Sequence, residues 1–359
     1  MSRAWRPDIK CARSPWSGDR HECELAPGLT SIGASAAELD SAYIDRLFER
    51  FKPDAVISRL PHPATLEMAR KREIPALPAF VHLFERRFLR EWRFRRRLAH
   101  AIGGANVPCV ANHSLNASRS VVNALGVSAE KVVPWDWSRI PVQAVAKPGP
   151  VDPAAPTAFY AGALSEEKGV GDCLEAMARL DGTSGPRLTM TFAGPGDLER
   201  WRQTADRLGL ADRAMFLGSV PNDEVRQLMA AADMVVVPSR HAYAEGLPNT
   251  IYEGLASRSA LLISDHPAFK GRLQPDRDCL EFRSSDPASL AAAVRRLCAE
   301  AELYATLSGH APSALGSLYV GLPWTDLIER FVQDPTGATG WVGRHSLASI
   351  EAERAPRAS

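Results

Sequence analysis

From Thr157 to Asp265 short apolar runs alternate with amphipathic stretches: TAFYAG (157–162), VGDCLEAMARL (170–180), RLTMTFAG (187–194) and DLERWRQTADRLGL (197–210). The rhythm continues through AMFLGSV, DEVRQLMAAA, DMVVVPS, the segment after Pro248 and ALLISD. Short apolar runs are strands buried on both faces, and the stretches between them carry helical periodicity. The pattern therefore prescribes βαβ units and a parallel sheet covered by helices on both sides. A length of 359 residues accommodates two such domains, and 45% apolar with 24% charged residues is ordinary globular composition.

AVAKPGPVDPAAPTA (144–158) interrupts all periodicity with prolines and a glycine and reads as a linker. Before it the same grammar is weaker, with strands expected in PDAVISRL (53–60), IPALPAFVH (74–82) and VPCVANHS (107–114). The expected division is an N-terminal Rossmann-like unit over 1–146, a linker over 147–156 and a second unit over 157–317. A helix over 318–333 crosses back to the first unit, and the Gly/Ala/Ser/Arg-rich tail 334–359 is expected to fray.

A formal net charge of +1 argues against a design for nucleic acid. Cys11, Cys23, Cys109, Cys173, Cys279 and Cys298 form no Cys-x-x-Cys pair and read as reduced thiols of a cytosolic protein. The basic opening has no apolar segment after it, so no secretory signal is expected, and no run approaches the ~18 apolar residues of a membrane span. The Asn-x-Ser triplets at Asn112 and Asn116 then read as chance matches.

Open parallel sheets bind ligands at the carboxyl ends of their strands. MVVVPS (234–239) is such a strand, RHAYAEGL leaves it, and Pro248 suits a first helical turn. The amides of Leu247, Asn249 and Thr250 then face out of a helix N-terminus, which favours a phosphate. Glu245 lies before that positive end and Glu253 inside the helix. At ~1.5 Å per residue, the stretch from Pro248 to Glu253 spans roughly 8 Å, room for two carboxylates to grip opposite ends of one phosphorylated ligand. Solvated helix carboxylates are the bland alternative.

Glu245-x7-Glu253, within PSRHAYAEGLPNTIYEGLASRSALLISD, resembles the E-x7-E signature of family 4 glycosyltransferases, retaining, nucleotide-sugar-dependent enzymes of GT-B fold. FYAGALSEEKGVGDCLEAM, LTMTFAGPGDLERW and FLGSVPNDEVRQLMAAADMVVVPS are similar to the family's successive βα units. GLPWTDLIERFV (321–332) is similar to its closing helix. The resemblance implies two Rossmann-like domains facing across a cleft, the first shortened, because the family's opening strand and glycine-rich loop are not recognisable before residue 50. It implies that Glu253 holds the ribose hydroxyls and Glu245 the transferred sugar. The Gly246 and Leu247 amides meet sugar and diphosphate, and Lys168 neutralises the leaving diphosphate. His82 stands where the family often has a histidine facing the donor sugar, although a plain loop histidine fits equally. Gly162 and Gly194, at strand ends, join the donor-binding set, with a simple turn role as the alternative. Where family members usually carry an arginine between the glycine and the lysine, this chain has Ala163, leaving Arg240, His241 or Lys270 as replacements.

FERRFLREWRFRRRLAH (84–100) reads as a basic amphipathic helix, with Phe84, Phe88 and Trp92 on one stripe and Arg86, Arg90, Arg93 and Arg97 opposite. It suits an anionic membrane surface, or equally a helix packed on its own sheet. The expectation is a cytoplasmic, peripherally membrane-associated hexosyltransferase of polysaccharide or lipopolysaccharide biosynthesis. It takes a nucleotide diphosphate sugar as donor and a glycan or lipid-linked acceptor. No cofactor or metal is expected, since no Asp-x-Asp motif stands in the cleft sequence, and no nucleic-acid partner. A GT-B hydrolase or epimerase of nucleotide sugars, and a catalytically weak homologue that binds nucleotide or membrane, stay open as alternatives.

Overall fold

The structure, a computed structural model, describes residues 21–26, 29–33, 39–84, 89–150, 152–181, 185–243, 245–320 and 322–354. An antiparallel hairpin, β1 (His21–Ala26) and β2 (Leu29–Gly33), precedes α1 (Ser41–Phe51). Asp40 caps this helix by accepting from the Tyr43 amide, and Lys52 ends it in the left-handed conformation. The chain continues as β3 (Val56–Ser58), α2 (Pro63–Lys71), β4 (Ala76–Phe80), α3 (Leu89–Ile102), β5 (Val110–His113), α4 (Leu115–Leu125) and β6 (Val132–Trp135). The strands of this unit form one parallel sheet in the order β3-β4-β5-β6. The fourth of them, β6, was not foreseen from the sequence.

A parallel sheet in sequential order has no point where its winding reverses. Crossovers of one hand then stack every connecting helix on one face. Leu66, Leu98, Ile102, Leu115 and Val121 accordingly pack with Ala76, Phe80, Val110 and Val132 on that face. Leu77, Ala79, Cys109, Ala111 and Val133 point to the other and need a different cover.

The second unit supplies it. Its order is β7 (Thr157–Ala161), α5 (Val170–Asp181), β8 (Thr189–Ala193), α6 (Leu198–Arg207), β9 (Ala214–Gly218), α7 (Asn222–Ala231) and β10 (Met234–Val237). Then follow α8 (Asn249–Ser257), β11 (Ala260–Ser264), β12 (Leu280–Phe282), α9 (Pro287–Ala299) and α10 (Ala301–Leu318). The parallel sheet runs β12-β11-β10-β7-β8-β9, with apolar cores on both faces, as the alternation predicts. The chain then returns as α11 (Trp324–Gln333), α12 (Trp341–Arg344) and α13 (Leu347–Arg354). Asp136 donates its amide to Leu322 and accepts from the Trp324 amide, so the return is zipped alongside the end of β6. Leu322, Leu327, Phe331 and Trp341 close the open face of the first sheet. Phe331 and Trp341 each remove roughly 150–250 Å² from water, on the order of 4–6 kcal/mol before entropy is charged.

The expected fraying of the tail is therefore corrected. Trp341 and Leu347 are buried, and the α13 residue Glu351 pairs with Arg119. The composition of the tail is polar, but Trp341 helps cover the open sheet face, and Leu347 packs with Leu115, Val121 and Val132 on the face that the helices cover. Asn112 is fully buried, its amide donating to the carbonyls of His82 and Ala117, and Asn116 donates across the units to Ala268 and Lys270. Among the described residues Cys109, Cys173, Cys279 and Cys298 are free thiols, and no helix is long and apolar enough to cross a membrane.

Candidate active site

The second sheet reverses its winding between β7 and β10, and a crevice opens at the carboxyl ends of these strands. A cavity of about 270 Å³ lies there, lined by Gly162, Ala163, Gly194, Asn222, Thr250 and Glu253 among others. Gly194 has φ +147°, and a Cβ on it would fall 1.8 Å from the Gly162 carbonyl oxygen. No other residue fits this close approach of two strand ends.

At α8 the Thr250 hydroxyl donates to the Ala161 carbonyl (3.0 Å), docking the helix start against the end of β7. Glu253, one turn inside, is 7% exposed. Burial pushes its carboxyl above the usual carboxylate range, while Arg226 and Asn249 pull the other way. A desolvated carboxylate facing a cavity is relieved by hydroxyl donors.

Glu245 lies on the loop that runs from β10 to α8. Its Oε2 lies 2.5 Å from Lys168 Nζ and accepts from the Ser239 hydroxyl at 2.6 Å. The ammonium also sits 4.4 Å from the centre of the Tyr243 ring. Lys168 is placed by its neighbour Gly169, whose φ of +75° turns the chain tightly against β10. A Cβ there would lie 2.2 Å from the Pro238 carbonyl oxygen. The pair is thus a cation and an anion on the loops that leave β7 and β10, both nearly buried.

The first unit faces the Glu245 loop. A Cβ on Gly246 would stand 2.8 Å from the Val81 carbonyl oxygen and 3.8 Å from His113 Nδ1, so the Glu245–Leu247 turn touches the ends of β4 and β5. The His113 ring lies 5.9 Å from that of Tyr252 on α8. His82, next to Val81, is half-buried, and its Nδ1 has no hydrogen-bond partner among the described residues. Burial, and then the Arg59 charge, lower its pKa.

Of the residues proposed from sequence, Gly162, Gly194, Thr250 and Glu253 line the cavity, Lys168 and Glu245 pair on the loops that leave β7 and β10, and Gly246 and His82 lie where the first unit meets the second of these loops. The suggested replacements for the missing arginine are not gathered there. Arg240 is committed to Asp172 through a two-pronged pair at 2.7 and 2.8 Å, and His241 to Asp265. Lys270 is exposed in a turn after β11. Sequence reasoning missed Ser239 and Tyr243, which flank Glu245. It also missed the tryptophans of PWDW (134–137), whose only signal was their position after an apolar run.

The basic helix is partly corrected. Arg86 and Phe88 lie outside the described residues, as does the side chain of Arg90. Phe84 precedes α3 and packs edge-on against Phe80. Arg97 is not a free surface cation, because it forms a two-pronged pair with Glu67 on α2. Trp92 (50% exposed), Phe94, Arg93 and Arg96 do face outward.

Two parallel-sheet α/β units, with a cavity at the strand ends of the second, make the GT-B architecture. Residues 145–313 match the model of glycosyl transferases group 1, so the second unit is a domain of that kind, in a chain similar to family 4 glycosyltransferases. It is 28% identical over 193 residues to 2-deoxystreptamine N-acetyl-D-glucosaminyltransferase of Streptomyces fradiae, covering 52% of this chain and 45% of that one. The chain thus spans less than half the length of this curated relative. Among solved structures, sucrose-phosphate synthase from Thermosynechococcus elongatus superposes with TM-score 0.67 at 16% identity, over 92% of this chain and 88% of that one. Anabaena Alr3699/HepE in complex with UDP and glucose superposes with TM-score 0.64 at 15% identity, over 84% and 82%.

Proposed function

We propose that the protein is a retaining glycosyltransferase that moves a sugar from a nucleoside diphosphate to a hydroxyl of a glycan or lipid-linked acceptor. The observation that carries this reading is a strand-end cavity lined by Gly162, Gly194, Thr250 and Glu253, with the Lys168–Glu245 pair on the loops that leave the same two strands, β7 and β10. Glu253 accepts from the ribose hydroxyls, and the diphosphate lies over the strand-end glycines toward the start of α8. Glu245 and the Gly246 turn hold the sugar between the units, with His82 facing it. As the anomeric carbon–oxygen bond breaks, its electron pair passes to the diphosphate, where Lys168 meets the developing charge. The acceptor oxygen bonds the same face of the anomeric carbon, and its proton passes to the departing phosphate. UDP and glucose bound to a protein of the same fold support a nucleotide donor.

Glu253→Ala is expected to weaken binding of the bare nucleoside diphosphate about tenfold or more, since hydrogen bonds to a charged group contribute ~1.5–3 kcal/mol. Glu245→Ala should leave that binding nearly intact and weaken the complete nucleotide sugar. Calorimetric titration with UDP and UDP-glucose separates the two, and equal, negligible effects would remove the assignment.

The exposed Trp92, Phe94, Arg93 and Arg96 of α3 favour association with an anionic membrane surface, where a lipid-linked acceptor resides. Each arginine near such a surface contributes ~1 kcal/mol. Reversing Arg93 and Arg96 to glutamate should then lower partitioning onto phosphatidylserine vesicles roughly thirtyfold or more, and added salt should weaken binding of the unmodified protein. Sedimentation insensitive to both changes would leave α3 as a helix packed on its own domain.

A further inference from the structure

Arg59 leaves the end of β3 and lies half-buried on the face of the first sheet that the returning chain covers. Its guanidinium stacks on Trp324 at 4.4 Å and on Trp135 at 5.1 Å, with Trp137 at 6.0 Å. Burial lowers its pKa, and among the described residues no carboxylate pairs with it. Two further polar atoms in this corner have no partner among the described residues: His82 Nδ1 and the Trp137 indole nitrogen. Both are buried, and His82 lies near enough to feel the Arg59 charge. The nearby carboxylate Asp136 is already engaged, since its two oxygens accept from the amides of Trp137 and Val320.

The corner therefore holds a cation with no paired carboxylate among the described residues, an unpartnered indole N–H and an unpartnered imidazole nitrogen. A desolvated charge left in that state is costly unless something completes it. The rings cover the guanidinium, and its N–H groups, donors of the kind that take an oxyanion on two parallel hydrogen bonds, have no carboxylate partner among the described residues. The corner adjoins the donor crevice: Val81, beside His82, touches the Gly246 turn, and Trp137 packs on the core of the second unit.

We infer that Arg59, with His82 and Trp137, forms an oxyanion subsite on the acceptor side of the cleft, so that the acceptor carries a phosphate or carboxylate group near the hydroxyl that is glycosylated. The inference rests on reading the first unit as the acceptor side.

The test uses the full chain saturated with UDP, and follows thermal shift and titration with glycerol 3-phosphate, glucuronate and their neutral counterparts glycerol and glucose. The oxyanion probes should stabilise the protein and the neutral ones should not. A larger response to glycerol 3-phosphate assigns a phosphate group, and a larger response to glucuronate a carboxylate. Arg59→Gln should weaken the responsive probe at least tenfold and leave the UDP shift unchanged. Arg59→Lys, which keeps the charge and loses the fork, should retain only part of the response. Equal responses to charged and neutral probes, no response to any probe, or an unaltered response in Arg59→Gln would overturn the subsite. A fall in UDP binding in Arg59→Gln would move Arg59 to the donor and overturn it equally. Absence of a UDP shift in the unmodified protein is a failure of the donor reading alone, because the oxyanion comparison also runs without nucleotide.

Discussion

Replacing Lys168 with alanine is expected to lower turnover of a nucleotide sugar by two to three powers of ten, while donor affinity falls much less. That is the range for removing one preorganised group that stabilises charge on the leaving group. The expectation is at the upper end because the cations that the sequence offered in place of the missing arginine are engaged with other carboxylates or exposed. Ala163 stands where similar enzymes commonly carry an arginine, and Arg240 and His241 are bound to Asp172 and Asp265. Lys168 is held against Glu245 by the constrained Gly169 turn, so it does not have to be recruited when the diphosphate arrives. Ala163 is exposed, so Ala163→Arg has space to extend and should restore part of the loss in the Lys168→Ala background. Release of nucleoside diphosphate, measured under saturating donor with acceptor supplied, decides the matter. Unchanged turnover in Lys168→Ala would refute the diphosphate role, and no turnover in any of the proteins would favour a binding homologue.

Trp341→Ala should destabilise the first unit by ~3–5 kcal/mol, the cost of removing a buried aromatic and leaving a cavity. Trp341 is 2% exposed and sits in the cluster of Leu77, Cys109 and Val133, on the sheet face to which no crossover helix of the first unit packs. The urea midpoint should fall, and amide protection should be lost first in β4–β6. Cys109, whose thiol burial pushes up to about 12, should become reactive toward alkylating agents as that face opens. A change below about 1 kcal/mol, with Cys109 still inert, would show that the segment after Gln333 does not close the sheet.

The second unit was legible because each of its strands is a continuous apolar run between helices of clear period, so local pattern and burial coincide. The pair Glu245 and Glu253 was legible for a related reason: both flank one helix start, and spacing along one element converts directly into distance. Half of the first unit was obscure because a sheet without a reversal has one face covered by its own helices and the other by residues about two hundred positions away. Nothing local in WVGRH distinguishes a docking tryptophan from a frayed end. Arg97 shows the same blindness on a smaller scale, since its partner Glu67 belongs to another helix.

By itself the sequence determined the α/β class, the parallel sheet of the second domain covered on both faces, and the placing of two carboxylates about one helix start. These follow from periodicity, turn residues and the geometry of one helix terminus, all of which act over a few residues. Only the tertiary structure decided which cations are already engaged, that the tail completes the first sheet, and that Arg59 meets Trp135, Trp137 and Trp324. Those outcomes depend on pairing between distant segments, where burial and the absence of a counter-charge arise only once the chain has closed upon itself.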